Sequence, residues 1–147
     1  KYWLYNKKII NSFEKNHKNI KLFVFFGVSS AIFLILHSIF LGIKFDYDLY
    51  KLFRRVILLC FIIFEITAQF YLVMTIYSLK EKIFKFISVK VLKTKLILVS
   101  LLIVVAVISI PIISMPGNTH LKHALEWDYF LGVIAFYLLT FFMWKKQ

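Results

Sequence analysis

The chain has 147 residues, of which 61% are hydrophobic and 19% aromatic, and its mean hydropathy is +0.81. Soluble domains are only about half apolar, so this composition indicates a protein whose solvent is lipid. The net charge of +12 does not indicate a nucleic-acid partner, because Lys and Arg form short clusters between long apolar runs instead of one basic face. The single cysteine, Cys60, excludes an intramolecular disulfide and a multi-cysteine metal site.

Residues 1–21 form a basic segment interrupted by polar residues, without the features of a cleavable signal peptide. We expect this segment to lie in the cytoplasm. The first residue is Lys1. We expect the natural chain to begin further upstream, and additional helices in that upstream segment are compatible with the sequence.

Four apolar runs follow, each long enough to cross about 30 Å of hydrocarbon as an α-helix. They cover residues 22–43, 56–79, 96–115 and 124–144. Their continuous apolarity lacks the alternation of membrane β-strands, and their short connectors predict antiparallel neighbours. The sequence therefore predicts an all-α, polytopic membrane protein, with a four-transmembrane-helix bundle over residues 22–144 and a short tail, 145–147.

The distribution of Lys and Arg predicts the orientation of these helices. Fourteen lie in residues 1–21, 80–95 and 145–147, whereas five lie in residues 44–55 and 116–123. Cytoplasmic loops carry the excess of positive charge, so we expect both termini on the cytoplasmic side. Aromatic residues that anchor helices at the membrane interface lie near the predicted helix ends: Trp3, Tyr47, Tyr50, Tyr77, Trp127, Tyr129 and Trp144.

Glu65 is the most informative polar residue in the apolar runs, since it lies near the middle of the second run. A carboxyl group at that depth is costly and usually faces the bundle interior or a cavity. Gln69, four residues later, shares its helix face. Two interpretations follow: a proton-carrying or headgroup-binding site, or a protonated Glu65 that joins helices through hydrogen bonds to Gln69 or another neighbour. We favour the second.

His37 lies in the first run, about two turns from its outer end. A bis-histidine haem site needs a second buried histidine, and none is evident in the sequence. We therefore expect a neutral histidine that forms a hydrogen bond across helices, for example to Glu65, and we expect no cofactor.

Polar residues cluster at the predicted outer end of the fourth helix: His120, His123, Glu126 and Asp128, beside Trp127. Spacings of three could bring the histidines and Glu126 together as metal ligands. However, the cluster lacks a zinc motif such as H-E-x-x-H, and acids with a tryptophan also suit a helix start at the interface. We expect this structural role, with no metal.

The segment His123-Ala-Leu-Glu126-Trp127, followed by Phe136-Tyr-Leu-Leu-Thr-Phe141, resembles the final helix of the Frag/DRAM/Sfk family of polytopic membrane proteins. The layout of the four runs also resembles the last four of that family's six helices. The family's long loop after its first helix is not in this chain, and Arg54 and Arg55 occupy the place of a typical histidine. Because the family is associated with lipids, the resemblance implies lipid handling but no particular reaction, and it carries over only His123, Glu126 and Trp127.

The sequence thus predicts a non-catalytic membrane protein that binds or organises lipids, or assists a lipid-handling membrane partner. Its expected partners are membrane lipids and other membrane protein chains, with no nucleic acid. The alternative is a small accessory or structural subunit of a larger membrane complex, such as a respiratory or photosynthetic one. A third interpretation, a membrane enzyme or redox anchor, would use His37, Glu65 and the outer histidines.

Overall fold

The computed structural model describes residues 1–15, 17–43, 45, 47–114 and 119–144, with only the backbone at 110, 113, 114, 119, 122, 123 and 126. Regular secondary structure in these residues is entirely helical, and its elements are α1 (Tyr2–Phe13), α2 (Asn19–Gly42), α3 (Asp48–Ser78), α4 (Lys80–Ile83), α5 (Val89–Ser114) and α6 (Thr119–Met143). Outside the helices, Ile87 and Trp144 form an isolated antiparallel bridge. The all-α class that the apolar runs predict is confirmed for these residues.

Three helical stretches are long and apolar enough to cross a membrane: Asn19–Gly42, Asp48–Ser78 and Val89–Ser109. A shorter apolar stretch, Trp127–Met143, lies within α6. Only 17% of the apolar window of α2 and 22% of that of α5 is buried, against 44% in α3. Most of the apolar surface of α2 and α5 therefore faces outward, as in a protein surrounded by lipid.

The helices extend beyond the apolar runs at their N-terminal ends. The second run begins at residue 56, but α3 begins at Asp48, and α5 begins seven residues before the third run. The sequence predicted a start near Ala124 for the last helix, whereas α6 begins at Thr119. Hydropathy marks where a helix meets hydrocarbon, whereas the helical backbone continues into polar sequence because its hydrogen bonds are internal.

Helix α1 lies in the segment that the sequence treated only as basic and cytoplasmic. Its buried residues, Trp3, Asn6 and Ile10, follow a helical spacing, and Lys7 and Lys8 remain exposed. Trp3, predicted to be an interface anchor, is instead buried against α2. Its ring lies 6.4 Å from that of Phe23.

The chain divides into two compact units, Lys1–Thr75 and Ile76–Gln147. In the first unit, α2 and α3 run antiparallel. Aromatic pairs connect them along their length, with ring centroids 5.2 to 6.2 Å apart: Phe26 with Tyr71, Phe33 with Phe64, and Phe40 with Phe53. These contacts align the polar residues of the two helices at the same level.

In the second unit, α5 packs against α6, also antiparallel. Gly132 makes the close approach possible, because a side chain there would collide with Leu102. At the end of α6, the backbone N–H of Ser88 donates a 2.8 Å hydrogen bond to the carbonyl oxygen of Met143. The start of α5 and the end of α6 are therefore joined through their backbones.

Candidate functional site

Glu65 lies inside the first unit, where only 2% of its surface is exposed, as its depth in the sequence predicts. The Ser30 hydroxyl donates a 2.6 Å hydrogen bond to Glu65 Oε2. Gln69 Nε2 donates to Glu65 Oε1 over 3.0 Å, across one turn of α3. We refer to Ser30, Glu65 and Gln69 as the polar cluster. Its members join α2 to α3 and satisfy both oxygens of the carboxyl group.

The Ser30 hydroxyl has two acceptors within reach. Its Oγ lies 2.6 Å from Glu65 Oε2 and 3.0 Å from the carbonyl oxygen of Gly27, and a hydroxyl group has one proton to donate. The contact with Glu65 is the shorter of the two and the one that joins α2 to α3.

His37 is half-buried on α2. It lies seven residues beyond Ser30, which is about 10 Å along the helix axis. Ser30 is the α2 residue whose hydroxyl contacts Glu65. The hydrogen bond between His37 and Glu65 stays a prediction.

The predicted outer cluster falls on the first two turns of α6. The backbone places His120, His123 and Glu126 on one helix at spacings of three, and His120 is exposed. Trp127 is 70% exposed, and its position at the membrane interface stays a prediction. The predicted proximity of the His123 and Glu126 side chains lies outside the described residues. Among the side chains that are described, no three His, Cys, Asp or Glu residues form a group suited to a metal ion.

The first turns of α3 carry an open groove of about 450 Å³. Its lining is apolar and aromatic: Tyr47, Leu49, Tyr50, Leu52, Phe53 and Val56. We call it the aromatic groove. The spacing of 49, 52, 53 and 56 places these residues on one face of α3, and that face is exposed, with Leu49 at 74%. This apolar surface is therefore open to the surroundings of the protein.

The Tyr50 side chain fixes one wall of the aromatic groove. Its hydroxyl lies 2.6 Å from the carbonyl oxygen of Phe40 and 3.0 Å from that of Ile43. These carbonyls belong to the end of α2, where the helix leaves acceptors without intrahelical donors. The groove wall is therefore held by a C-terminal cap of the neighbouring helix.

Basic side chains lie beside the aromatic groove. Arg54 follows Tyr50 by four residues, and Arg55 follows Leu52 by three, so each lies next to a groove residue on the helix surface. Arg55 is exposed and Arg54 half-buried. Arg54 Nε is fully buried and has no hydrogen-bond partner among the residues described. Neither arginine is among the residues that line the groove.

Lys95 is a buried lysine in the segment 80–95, which the sequence predicts to be a cytoplasmic connector. It lies on α5 with 0% of its surface exposed. Its Nζ donates a 2.6 Å hydrogen bond to Thr140 Oγ1 and lies 3.8 Å from the centroid of the Phe136 ring. In the part of the chain that the structure describes, no carboxylate forms an ion pair with it. These contacts join α5 to α6.

Comparison with known proteins adds no family assignment. No protein-family model matches the chain, and no curated protein or solved structure matches it significantly.

The sequence did not predict two features, the aromatic groove and the burial of Lys95, each for a different reason. The sequence predicts Tyr47 and Tyr50 as interface anchors and Val56 as the start of the second run, and it places the other groove residues in the connector 44–55: Leu49, Leu52 and Phe53. Their common face becomes visible only if α3 is extended back to Asp48. Lys95 was counted with neighbouring lysines, although its position three residues after Leu92, which is also buried, is a signal for a shared helix face.

Proposed function

We propose that this chain is a non-catalytic, multi-pass integral membrane protein that binds or organises membrane lipids. The observation that carries the proposal is the aromatic groove, an open apolar surface at the end of a spanning helix. Lipid acyl chains are the apolar groups available there in greatest amount. Aromatic and basic side chains together are typical of the headgroup level of a membrane.

The proposal includes four membrane crossings. Helix α6 has 25 residues, which at 1.5 Å per residue is about 37 Å and suffices for a bilayer. With Lys95 buried on α5, thirteen Lys and Arg residues remain in the segments assigned to the cytoplasm, against five on the other side. The charge difference still favours cytoplasmic termini. The aromatic groove then lies at the extracytoplasmic interface.

The polar cluster supports a structural role for Glu65 within this function. Both carboxyl oxygens accept or share hydrogen bonds inside the protein, so the group is engaged in joining α2 to α3. The resemblance of residues 123–141 to the Frag/DRAM/Sfk family supports lipid handling as the general activity. Neither observation requires a chemical reaction.

Lipid retention by the purified protein tests the proposal. The protein is extracted in mild detergent, separated from free micelles and analysed by mass spectrometry for bound lipid. We expect about one retained lipid per chain, and a loss of that lipid in the double variant Leu49→Ser, Phe53→Ser. The matched control is Phe141→Ser, which changes an aromatic residue that is 73% exposed on α6.

Two results would count against the proposal. One is wild-type protein that retains no lipid. The other is equal retention by the wild type and the groove variant. A different membrane protein could instead co-purify with the chain in stoichiometric amount. If its binding depends on the same groove residues, the accessory-subunit alternative replaces lipid binding.

A further inference from the structure

We infer that the outward face of α5 binds one anionic phospholipid, with the phosphate at Lys90 and Lys93 and an acyl chain along the apolar residues that follow them. This inference rests on the proposed function and deepens it, because it names the class of lipid and places a binding surface on a helix other than that of the aromatic groove. Helix α5 lies entirely within the second unit, so the surface belongs to a single compact unit.

Helix α5 has two faces that differ in exposure. The residues of the inward face are each at most 2% exposed: Leu92, Lys95, Val99 and Leu102. On the opposite side, six exposed residues recur at spacings of three and four: Lys90, Lys93, Ile97, Leu101, Val104 and Ile108. Such spacings place residues in one row along a helix. The two lysines and the four apolar residues therefore form a continuous outward face.

The order of charge and apolar surface along this face matches the order of the parts of a phospholipid. Lys90 and Lys93 lie in the first two turns of α5, and the apolar residues all lie further from that end. A lysine one turn inside the membrane surface can still reach the headgroups, because its side chain is long and flexible. The axial distance from Ile97 to Ile108 is about 16 Å, close to half of the roughly 30 Å of hydrocarbon in a bilayer. The phosphate is then at the membrane surface, and the acyl chain lies deeper, within one leaflet.

The positive charge of Lys90 and Lys93 is not balanced by nearby acids. The connector 80–95 carries six lysines and one acid, Glu81, and residues 82–125 contain no Asp or Glu. Among the residues that the structure describes, neither Lys90 nor Lys93 forms an ion pair. An anionic headgroup would balance this charge. Because the two lysines are three residues apart, one phosphate can contact both ammonium groups.

The end of α5 that carries the lysines is held in place by contacts with α6. The Ser88 N–H bonds to the Met143 carbonyl oxygen over 2.8 Å, and Lys95 Nζ donates to Thr140 Oγ1 over 2.6 Å. The backbone that presents the outward lysines is thus fixed before a ligand arrives, and little ordering of the backbone is needed when a lipid binds.

An anionic phospholipid fits this face better than other ligands do. In the proposed topology the lysine end of α5 lies on the cytoplasmic side, where anionic lipids attract basic segments next to spanning helices. An acidic protein segment would match the lysines but not the apolar row. A zwitterionic lipid would match the apolar row but would leave the excess positive charge unbalanced.

The first test is a competition between two lipids that differ in charge. Purified protein is equilibrated in mixed micelles with equal amounts of phosphatidylglycerol and phosphatidylcholine, and native mass spectrometry counts the retained molecules of each. We expect the wild type to retain phosphatidylglycerol in about tenfold excess, and the double variant Lys90→Gln, Lys93→Gln to retain the two lipids about equally. The matched control is Lys7→Gln, Lys8→Gln, which removes the same number of exposed lysines from α1 and should keep the excess.

A second measurement locates the acyl chain on the wild-type protein. Phosphatidylglycerol that carries a diazirine in one acyl chain is photo-activated in the same micelles, and the labelled peptides are identified by mass spectrometry. We expect label on α5 between Ile97 and Ile108, in higher yield than with the corresponding phosphatidylcholine. Because this measurement needs no variant, it does not depend on the folding of the lysine variant, which circular dichroism checks.

The outcomes separate this inference from the proposed function. Equal retention of the two lipids by the wild type overturns the anionic assignment but leaves lipid binding intact, whereas retention of neither overturns both. A preference that persists in Lys90→Gln, Lys93→Gln overturns the surface on α5, as does label confined to other helices. A co-purified protein chain that covers α5 would also overturn the inference. So would displacement of phosphatidylglycerol by inorganic phosphate alone, because it would show a phosphate site without a lipid.

Discussion

The Ser30 hydroxyl and the Glu65 carboxyl group lie 35 residues apart in the chain and 2.6 Å apart in space. Their hydrogen bond joins two helices at a level where both are buried. Gln69 completes the arrangement from the next turn of α3. In an apolar environment such a link fixes which faces of two helices meet, since few other polar partners are available at that depth.

We expect Glu65→Gln to preserve folding and assembly. A glutamine side chain can donate its amide N–H to Ser30 Oγ and accept from Gln69 on its oxygen, as a neutral carboxyl group does. Glu65→Leu should lower the free energy of unfolding by about 1–2 kcal/mol, because it leaves the buried Gln69 amide without this acceptor. Thermal unfolding in detergent measures the difference. Loss of stability in Glu65→Gln as large as that in Glu65→Leu would contradict a hydrogen-bonding role for Glu65.

The second prediction concerns the contact between α5 and α6. Thr140→Val removes the oxygen that accepts the hydrogen bond from Lys95 Nζ and leaves this buried nitrogen with only the Phe136 ring. We expect the free energy of unfolding to fall by about 1–3 kcal/mol, the cost of a buried donor that loses its acceptor. The matched control is Thr94→Val, at an exposed threonine that bonds only to its own helix in the contacts identified. Similar melting temperatures for the two variants would contradict a role for this contact.

Gly27 provides a third prediction, on the docking of α1. A Cβ atom at this position would overlap the Trp3 indole, so Gly27→Ala should displace α1 from α2. Limited proteolysis after Lys7 and Lys8 should then become faster. Gly42→Ala is the control, because a Cβ atom there meets no atom within 4 Å. Equal cleavage rates in the two variants would contradict tight packing of Trp3 on α2.

Topology is the fourth prediction. In a Cys60→Ser background, single cysteines at Tyr5 and Gln147 should react with an impermeant maleimide from the cytoplasmic side. A cysteine at Leu49 should react from the opposite side. Because α2, α3 and α5 would give three crossings, labelling of Tyr5 and Gln147 on the same side requires that α6 also crosses. Labelling on opposite sides would restrict the chain to an odd number of crossings.

The apolar runs predict four of the helices because hydropathy over about twenty residues is a strong signal. Helix α1 gives a weak signal, since it is short and its apolar positions, Trp3 and Ile10, are separated by Asn6 and two lysines. Its helical character depends on packing against α2, and tertiary contacts of this kind are not encoded in local hydropathy.

In the candidate sites too, the sequence predicts contacts within one helix but not contacts between helices. The pair Glu65 and Gln69 is readable because both residues lie on one helix face at a spacing of four. Their partner Ser30 is not, because the sequence does not specify which faces of α2 and α3 meet. For Lys95, charge counting gives the wrong environment: the hydrogen bond to Thr140 and the ring of Phe136 come from a helix 45 residues away.

The bond between the Ser88 N–H and the Met143 carbonyl oxygen has a consequence for how this protein tolerates mutation. Both partners are backbone atoms, so most side-chain replacements at these two positions leave the bond in place. Proline at position 88 is the exception, since it has no N–H to donate. The Ser88 carbonyl would still accept from Leu92 N, so the first turn of α5 could form without the link. We therefore expect positions 88 and 143 to tolerate side chains of many kinds, with proline excluded at position 88.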